Sequence, residues 1–277
     1  MTGSVPLRIE HGEAISWIVL DRPDAANAFN NALLDAFSAA LLRLETEGAP
    51  IIGVRGEGKG FSAGADLSEY NAGTTPVEDV ARLRRNLDRW LAMWRHPKPV
   101  IVAIHGFCMG ISAQMPCFSD LTIVADNARI GEPGIPIGGG YVAPAWVQHV
   151  GARRAKELAF LPGNWVDGRT AVEWGWANAA VPADQLVACV EALAQRMAMI
   201  PLPVLTVKKQ SINRAMEAQG FLSAVNAVAE SDAILHLEPA VLAMRQRIAD
   251  EGLMAVVAHY RGESSTQIFN RFRKESS

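Results

Sequence analysis

The sequence predicts an α/β fold in which a buried parallel sheet is followed by a helical C-terminal region. Two patterns support this. Short apolar runs bounded by turn residues alternate with amphipathic helices up to about residue 150, and helical periodicity dominates after Gly151. The 277 residues are enough for one large domain with a substantial core. Hydrophobic residues make up 49% and charged residues 20%, a globular rather than a disordered composition.

Four apolar runs are predicted as strands that are buried on both faces of the sheet. They span residues 15–20, 51–55, 100–104 and 121–125. Such runs are typical of parallel strands covered by helices. Ligands of open parallel sheets bind beyond the carboxyl ends of the strands, so the segments after these runs are the first place to look for a site.

Amphipathic helices are predicted between and after the strands. Asn31 is a candidate N-cap for a helix with an apolar stripe from Leu34 to Leu44, and a second stripe runs from Val80 to Trp94. Beyond Gly151, helical periodicity covers residues 155–161, 171–174, 186–199, 204–218, 221–234 and 239–251. The polar stretch 261–277 is predicted to be peripheral.

Composition also narrows the function classes. A net charge of -3 gives no general reason to expect nucleic-acid binding. The three cysteines are few and odd in number, which does not indicate a disulfide framework. The sequence has no Cys/His cluster that would indicate a metal site. With no signal peptide and no apolar run of membrane-spanning length, the expectation is a cytoplasmic protein that does not contact a membrane.

The segment GKGFSAGADL, residues 58–67, directly follows the second predicted strand. Its small residues allow close backbone approach to a ligand, and a turn that enters a helix leaves N–H groups unpaired. Such donors can hold a carbonyl oxygen that becomes negative during a reaction. Spacing alone equally allows an ordinary strand-to-helix turn. The candidate ligand-binding residues are Ser62, Ala63, Gly64, Ala65, Asp66 and Leu67.

A second segment of the same kind, AIHGFCMGISAQ, follows the third predicted strand. Small residues again precede a predicted helix start. The N–H of Ile111 at this start is a second candidate donor to a ligand oxygen. Two donors on one oxygen is the arrangement that acyl chemistry requires. Gly110, Ile111 and Gln114 are therefore further candidate binding residues.

These segments resemble the crotonase (enoyl-CoA hydratase/isomerase) superfamily. The resemblance rests on GKGFSAGADL, KPVIVAIHGFCMGISA, SDLTIVADNARIGEPGI and LDRPDAANAFN in their order along the chain, and it extends from about Leu20 to Asn213. It implies a crotonase-like spiral of ββα units over residues 1–200, with a helical region at 201–277 that packs in a homotrimer or dimer of trimers.

The resemblance also implies a function. The substrate would be an acyl-CoA thioester, with coenzyme A as part of the substrate and no other cofactor. The reaction would be of the lyase or isomerase kind found in fatty acid metabolism. The N–H groups of Ala63 and Ile111 would form an oxyanion hole that holds the thioester oxygen and stabilises an enolate.

The sequence departs from the family pattern at the acid/base positions. Hydratases of this family carry glutamates where this chain has Gln114 and Gly134. Glutamine cannot act as a general acid or base, and glycine has no side chain. The expectation is therefore that hydration of a simple substrate such as crotonyl-CoA is slow or absent.

Two residues are candidates to replace the missing glutamates. Glu132 lies two residues before the vacant position, and its alternative is a structural or solvated carboxylate facing away. Tyr141 lies on a glycine-rich loop and could donate a proton, or it could pack on Trp146. Asp66 is better explained as a helix-start carboxylate, and Gln114 either orients a ligand or is structural.

Other functions remain open from the sequence. The family also contains decarboxylases, thioester hydrolases and dehalogenases, and a non-catalytic acyl-CoA binder would keep the pocket without the glutamates. A serine hydrolase is a remote alternative, because residues 110–114 begin like a nucleophile elbow at Ser112. That motif lacks its closing glycine, and nothing marks His149, His236 or His259 as the partner base.

Overall fold

The computed structural model describes residues 6–69, 74–132, 135–138 and 144–274. The strands are β1 (Leu7–His11), β2 (Ile15–Leu20), β3 (Ile51–Gly56), β4 (Val100–Ile104), β5 (Phe107–Met109), β6 (Leu121–Ala125), β7 (Arg129–Gly131), β8 (Trp165–Asp167) and β9 (Ala179–Val181). The helices are α1 (Asn31–Leu44), α2 (Pro76–Arg95), α3 (Ile111–Gln114), α4 (Pro144–Phe160), α5 (Gly168–Glu173), α6 (Leu186–Ala198), α7 (Leu202–Ala218), α8 (Phe221–Asn226), α9 (Ala229–Leu235), α10 (Pro239–Glu251), α11 (Leu253–Tyr260) and α12 (Ser265–Lys274).

The main sheet has six strands in the order β1-β2-β3-β4-β6-β9. All neighbours are parallel except β1, which pairs antiparallel with β2 at the edge. Side chains alternate between two hydrophobic clusters, with Val54 and Val102 on one face and Ile51 and Ile101 on the other. The prediction of an α/β fold with strands buried on both faces is therefore confirmed.

A smaller sheet lies beside the carboxyl ends of the main strands. It has the order β5-β7-β8, and Met109 of β5 is in register with Gly131 of β7. A single bridge pairs Ser62 with Cys108. The segments that follow β3 and β4 are thus held next to each other, and the residue after Gly131 is brought beside Gly110.

The helix starts differ from the prediction in one detail. The N-cap of α1 is Asn30, whose side chain accepts the N–H of Leu33 at 2.9 Å. Asn31 is instead the first helical residue, and its N–H and side chain both donate to Glu69 at 2.8 and 2.9 Å. The sequence does not decide between Asn30 and Asn31, because either asparagine can cap a helix. In the structure Asn31 donates to Glu69, and Asn30 is the cap.

The C-terminal part is helical as predicted, with two corrections. The stretch 221–234 is two helices, α8 and α9, rather than one. The stretch 261–277 is not simply peripheral, because α12 begins at Ser265, which is 1% exposed and accepts a hydrogen bond from Asn164 at 3.2 Å. Within the described ranges no single helix is long and apolar enough to cross a membrane, although α6 with the turn before it and α7, bent by 105°, meet that test as a pair by length and composition.

Helix α7 is fastened to the sheet layer by a buried lysine. The ammonium of Lys209 donates to the carboxylate of Asp120 at 2.8 Å and to the carbonyls of Met93 and Lys98 at 3.1 and 3.3 Å. Lys209 is 7% exposed. A buried charge of this kind is tolerated only while its partners remain.

We expect Lys209→Ala to lower the free energy of unfolding by about 3–5 kcal/mol, because it leaves the mostly buried carboxylate of Asp120, 20% exposed, without its cation. Chemical denaturation measures this. The matched control is Lys208→Ala, since Lys208 is the neighbouring lysine and is exposed, and its effect should stay within about 0.5 kcal/mol. Equal losses for the two variants would contradict the assigned role of Lys209.

Candidate functional site

The first candidate turn is fixed by Ser62, which is fully buried. Its hydroxyl donates to the carbonyl of Asn27 at 2.8 Å and accepts the N–H of Gly64 at 3.1 Å. Its own carbonyl accepts the N–H of Met109 at 3.1 Å, which ties the first turn to the second. Ser62 therefore shapes the site, while its polar groups are occupied by the protein itself.

The two alanines of this turn use their N–H groups differently. The N–H of Ala63 donates to the carbonyl of Ala26 at 3.0 Å. It is already paired, which argues against the prediction that it holds a ligand oxygen. The N–H of Ala65 makes no hydrogen bond to any described residue, and Ala65 is exposed. The open donor of this turn is at Ala65, two residues further along the chain.

The second turn presents the N–H of Ile111. Gly110 adopts φ 59°, a conformation that favours glycine, and donates its N–H to the carbonyl of Gly131 at 2.8 Å. The N–H of Ile111, at the start of α3, has no acceptor among the residues described. The role of Ile111 as a donor to a ligand oxygen stays a prediction.

Gly64 brings the two turns into contact. It has φ +99°, and a Cβ placed on it would lie 2.7 Å from the carbonyl oxygen of Met109 and 3.7 Å from the nitrogen of Ile111. Any larger residue would force the turns apart. The absence of a side chain at Gly64 is therefore what allows Ala65 and Ile111 to be near neighbours.

Ser112 does not have the surroundings of a nucleophile. It is fully buried, and its hydroxyl lies 2.9 Å from the carbonyl of Ser62 and 2.7 Å from that of Met109. The histidines proposed as its base bind elsewhere: His149 contacts the carbonyl of Cys117 and His236 contacts Asp79. His259 is exposed. These contacts argue against a serine hydrolase.

Asp66 has a structural role, as the sequence favoured. It pairs with Arg22 at 3.0 Å and accepts the backbone N–H of Ser68 at 3.1 Å, in the short turn that begins at Leu67. Burial by itself would raise the pKa of Asp66, but the hydrogen bonds from Ser68 and Arg22 outweigh it and lower that pKa. Asp66 is therefore a fixed anion rather than a proton carrier.

Gln114 is 4% exposed and lies three residues after Ile111, at the end of α3. Its side chain makes no hydrogen bond to any residue that the structure describes. Buried amides are normally paired within the protein. The amide of Gln114 is thus available to a ligand or a water, which favours the orienting role over the structural one.

Glu132 directly follows Gly131, whose carbonyl accepts the N–H of Gly110 in the second turn. Its Oε1 atom is buried and has no hydrogen-bond partner among the described residues. Burial, and to a smaller extent the nearby charge of Asp232, raise the pKa of Glu132 to about 7. A carboxyl in this state can give or take a proton near neutral pH. The other predicted positions, Gly134 and Tyr141, lie outside the described residues.

Sequence reasoning missed a cluster of three ionisable residues that joins α2 to α9. Asp79 of α2 accepts a hydrogen bond from His236, which caps α9, and Asp232 of α9 lies on the other side of the ring. All three are buried. The only local signal was the four-residue spacing of Asp232 and His236, and the distant Asp79 could not be linked to them without the fold.

The tryptophans are explained by packing. Trp90 is 1% exposed, with its ring 5.6 Å from that of Phe29 and 6.0 Å from that of Phe37. Trp94 stacks on Phe221 at 4.7 Å, and the indole N–H of Trp146 donates to the carbonyl of Ala113 at 3.0 Å. These contacts give no direct indication of an aromatic ligand.

Comparison with known proteins points to one family. The sequence profile of the enoyl-CoA hydratase/isomerase family matches residues 10–233. A solved structure from Novosphingobium aromaticivorans, described as an enoyl-CoA hydratase/isomerase, is 59% identical, covers 96% of this chain and 99% of its own, and has a TM-score of 0.94. The expected crotonase fold is confirmed by this similarity.

More distant relatives agree. A probable enoyl-CoA hydratase of Rhizobium meliloti is 29% identical over 222 aligned positions, and the match covers 76% of this chain and 82% of that protein. A hydroxycinnamoyl-CoA hydratase-lyase of Pseudomonas fluorescens is 28% identical over 219 residues, covering 76% of this chain and 79% of the relative. The relatives thus include more than one type of reaction.

We expect the buried Glu132 to make stability depend on pH. A carboxyl whose pKa is higher in the folded than in the unfolded protein stabilises the fold below its unfolded value near 4.5, and that contribution is lost as pH rises through about 7. Glu132→Gln keeps the neutral form at all pH values. The variant should therefore match the wild type near pH 4.5 and exceed it by roughly 1–3 kcal/mol above pH 8.

Urea denaturation across this pH range measures the effect. Glu69→Gln is the control. Glu69 is exposed and comes shortly after the first candidate turn in the sequence. A Glu132→Gln variant whose stability runs parallel to the wild type from pH 4.5 to 8 would show that Glu132 does not titrate in this range.

Proposed function

The chain belongs to the enoyl-CoA hydratase/isomerase family, and we propose that it binds a coenzyme A thioester and stabilises the enolate of its acyl group. The observation that carries this proposal is the pair of open backbone donors, Ala65 and Ile111, on two turns in contact at Gly64. Ala65 takes the place first assigned to Ala63, whose N–H is occupied by Ala26.

The two donors suit an oxygen that gains negative charge. Removing a proton from the α carbon of a thioester moves the C–H electron pair into the C–C bond and shifts charge onto the carbonyl oxygen. Preorganised N–H groups stabilise that charge without reorganising during the reaction, and one donor is worth about 3–4 kcal/mol. The small residues of both turns leave room for the thioester to reach them.

Glu132 is the base in this proposal. In its ionised form the carboxylate accepts the α proton, and in its protonated form it returns that proton to carbon. A pKa of about 7 means that both forms are populated near neutral pH. Support for this role comes from its position directly after Gly131, which pairs with Gly110, and from its buried oxygen, which has no partner among the described residues.

One titrating carboxyl favours proton transfer between carbons over addition of water. Hydration needs a water to be activated while a proton is delivered to a second atom, and Gln114 cannot supply either proton step. We therefore expect an isomerase-like or lyase-like reaction, with slow or absent hydration of crotonyl-CoA. Decarboxylation and thioester hydrolysis use the same oxyanion hole and remain the alternatives, together with acyl-CoA binding without turnover.

Self-association is part of the proposal. Apolar side chains are exposed along the C-terminal helices, among them Val207 at 61% and Ile212 at 64% on α7. Exposed apolar surface of this kind marks protein interfaces. We propose that the region 201–277 packs against other copies in a homotrimer or dimer of trimers, and that the protein acts in the cytoplasm.

Ile111→Pro tests the second donor directly. Proline removes the N–H but is tolerated at the first residue of a helix, which is where Ile111 stands. We expect calorimetry with butyryl-CoA and benzoyl-CoA to show affinity for at least one of them in the wild type. The variant should bind that ligand about 3–10-fold more weakly, because it loses one hydrogen bond to the carbonyl.

Ile111→Ala is the matched control, since it keeps the N–H and removes only the side chain. It should bind the thioester within about twofold of the wild type, while free coenzyme A, which has no acyl carbonyl, should bind the three proteins alike. No affinity for any thioester in the wild type would refute the ligand class. Equal weakening by proline and alanine would refute the donor role of Ile111.

Exchange of the α protons of butyryl-CoA in D2O, followed by NMR, tests Glu132 whatever the natural reaction is. Base catalysis by a positioned carboxylate contributes about 10²–10⁴-fold, so Glu132→Gln should slow the exchange by at least that lower factor. Glu69→Gln should leave the rate unchanged. An unchanged rate in Glu132→Gln would clear Glu132 of the proton transfer and leave the oxyanion hole as the only part of the proposal that stands.

A further inference from the structure

The side chain of Asn164 joins the start of the last helix to the small sheet. Its Oδ1 atom accepts the backbone N–H of Ser265 at 2.9 Å and that of Trp165 at 3.0 Å. Its Nδ2 atom donates to the carbonyl of Glu157 at 2.7 Å and to the hydroxyl of Ser265 at 3.2 Å. Asn164 is 1% exposed. One buried amide therefore connects the end of α4, the beginning of β8 and the beginning of α12.

The main chain of the same residue holds Glu132. The carbonyl of Asn164 accepts the backbone N–H of Glu132 at 2.9 Å. This approach requires a glycine at position 131, because a Cβ on Gly131 would collide with that carbonyl oxygen. Asn164 thus contacts α12 through its side chain and the backbone of the assigned base through its carbonyl. We call the contacts from Ser265 through Asn164 to Glu132 the 265–164–132 link.

Helix α12 is buried at its start and open further along. Ser264 and Ser265 are buried, whereas Phe269 is exposed. Ser264 caps the helix, since its hydroxyl accepts the N–H of Gln267 at 3.3 Å. Ser265 is then the first helical residue, and the N–H of such a residue has no partner inside its own helix. The bond from this N–H to Asn164 therefore takes nothing from the hydrogen bonds of α12.

A role in ending α4 does not by itself account for Asn164. The carbonyl of Glu157 needs only one donor, whereas Asn164 uses both of its donors and both of its acceptor positions. Half of these bonds go to Ser265. Leaving buried donors and acceptors unpaired costs more than the net value of the bonds themselves. Docking of α12 and order at Asn164 are therefore linked.

We propose that Asn164 is a positioning residue, which fixes the main chain at Glu132 as long as α12 is docked on its side chain. The inference rests on the proposed function, in which Glu132 is the base of the acyl site. Undocking of α12 leaves half of the buried amide without partners and admits water beside it. The hydrogen bond from Glu132 to Asn164 then opens more often, and the base loses its fixed position. Small displacements of a reacting group are costly in rate.

Ser265→Pro tests the link in the full-length protein. Proline removes the N–H and the hydroxyl that Asn164 binds, and it is favoured at the first position of a helix, so α12 keeps its own structure. Hydrogen exchange resolved to single amides measures the result. The N–H of Glu132 should exchange about 3–10-fold faster, which corresponds to the net value of one hydrogen bond. The N–H of Arg129, which donates to Gly106 at the other end of β7, should keep its rate.

Thr266→Ala is the matched control, because it changes the next residue of α12 and leaves both groups of Ser265 in place. Exchange at Glu132 should stay as in the wild type. An unaltered rate at Glu132 in Ser265→Pro, or an equal rise at Arg129, would overturn the proposal. If Ser265→Pro does not fold, Ser265→Ala decides, since it removes only the hydroxyl. Exchange at Glu132 that is no faster than in Thr266→Ala would then overturn the proposal.

A second measurement separates positioning from a general weakening of the fold. With saturating butyryl-CoA, the α-proton exchange rate of Ser265→Pro should fall by about tenfold. Its KM should stay within twofold of the wild type, because the two donor turns lie outside the link. An unchanged rate together with a loosened amide at Glu132 would overturn the positioning role. A wild type that exchanges no α proton would instead refute the proposed function, and amide exchange would still decide whether the link holds Glu132.

Discussion

The site depends on the contact between Gly64 and the carbonyl of Met109. Two strands of a parallel sheet end side by side, and the segments after them meet only because one residue has no side chain and adopts a positive φ. The bridge between Ser62 and Cys108 fixes the two segments to each other. The hydroxyl of Ser62 fixes the first turn to the carbonyl of Asn27. Everything attributed to the two open N–H groups follows from this approach, since donors several ångströms further apart could not share one oxygen.

Much of the fold could be predicted from the sequence, because apolar runs, turn residues and helical periodicity are local patterns. The strands of residues 15–20, 100–104 and 121–125 are apolar runs long enough to be recognised, whereas β5, β7, β8 and β9 have three residues each and carry no periodicity. The candidate turns could also be found, because small residues after a buried strand are a local signal. Which N–H is open could not be found from the sequence. Among the described residues, the carbonyl of Ala26 accepts the N–H of Ala63, and none accepts the N–H of Ala65.

The ionisable groups of the candidate site depend most on contacts between residues that are distant in sequence. Glu132 could be named as a candidate from its distance to a vacant position, but whether it titrates near neutral pH depends on burial and on Asp232, a hundred residues away in sequence. The contact of Asp79 with His236 joins the second helix to the end of the ninth. Spacing rules apply within an element and do not reach across such distances, so this part of the site becomes visible only once α2 and α9 are packed together.

The neutral side chain at position 114 is consistent with this distribution of charge. Burial and the charge of Asp232 already raise the pKa of Glu132, because both oppose ionisation of a carboxyl. A glutamate at the buried position 114 would add a further charge to desolvate, whereas Gln114 keeps a donor and an acceptor without a charge. In the proposed function, proton transfer is assigned to Glu132, and the amide of Gln114 orients the group on which that proton moves. A neutral amide at 114 and a carboxyl of raised pKa at 132 are therefore compatible parts of one electrostatic arrangement.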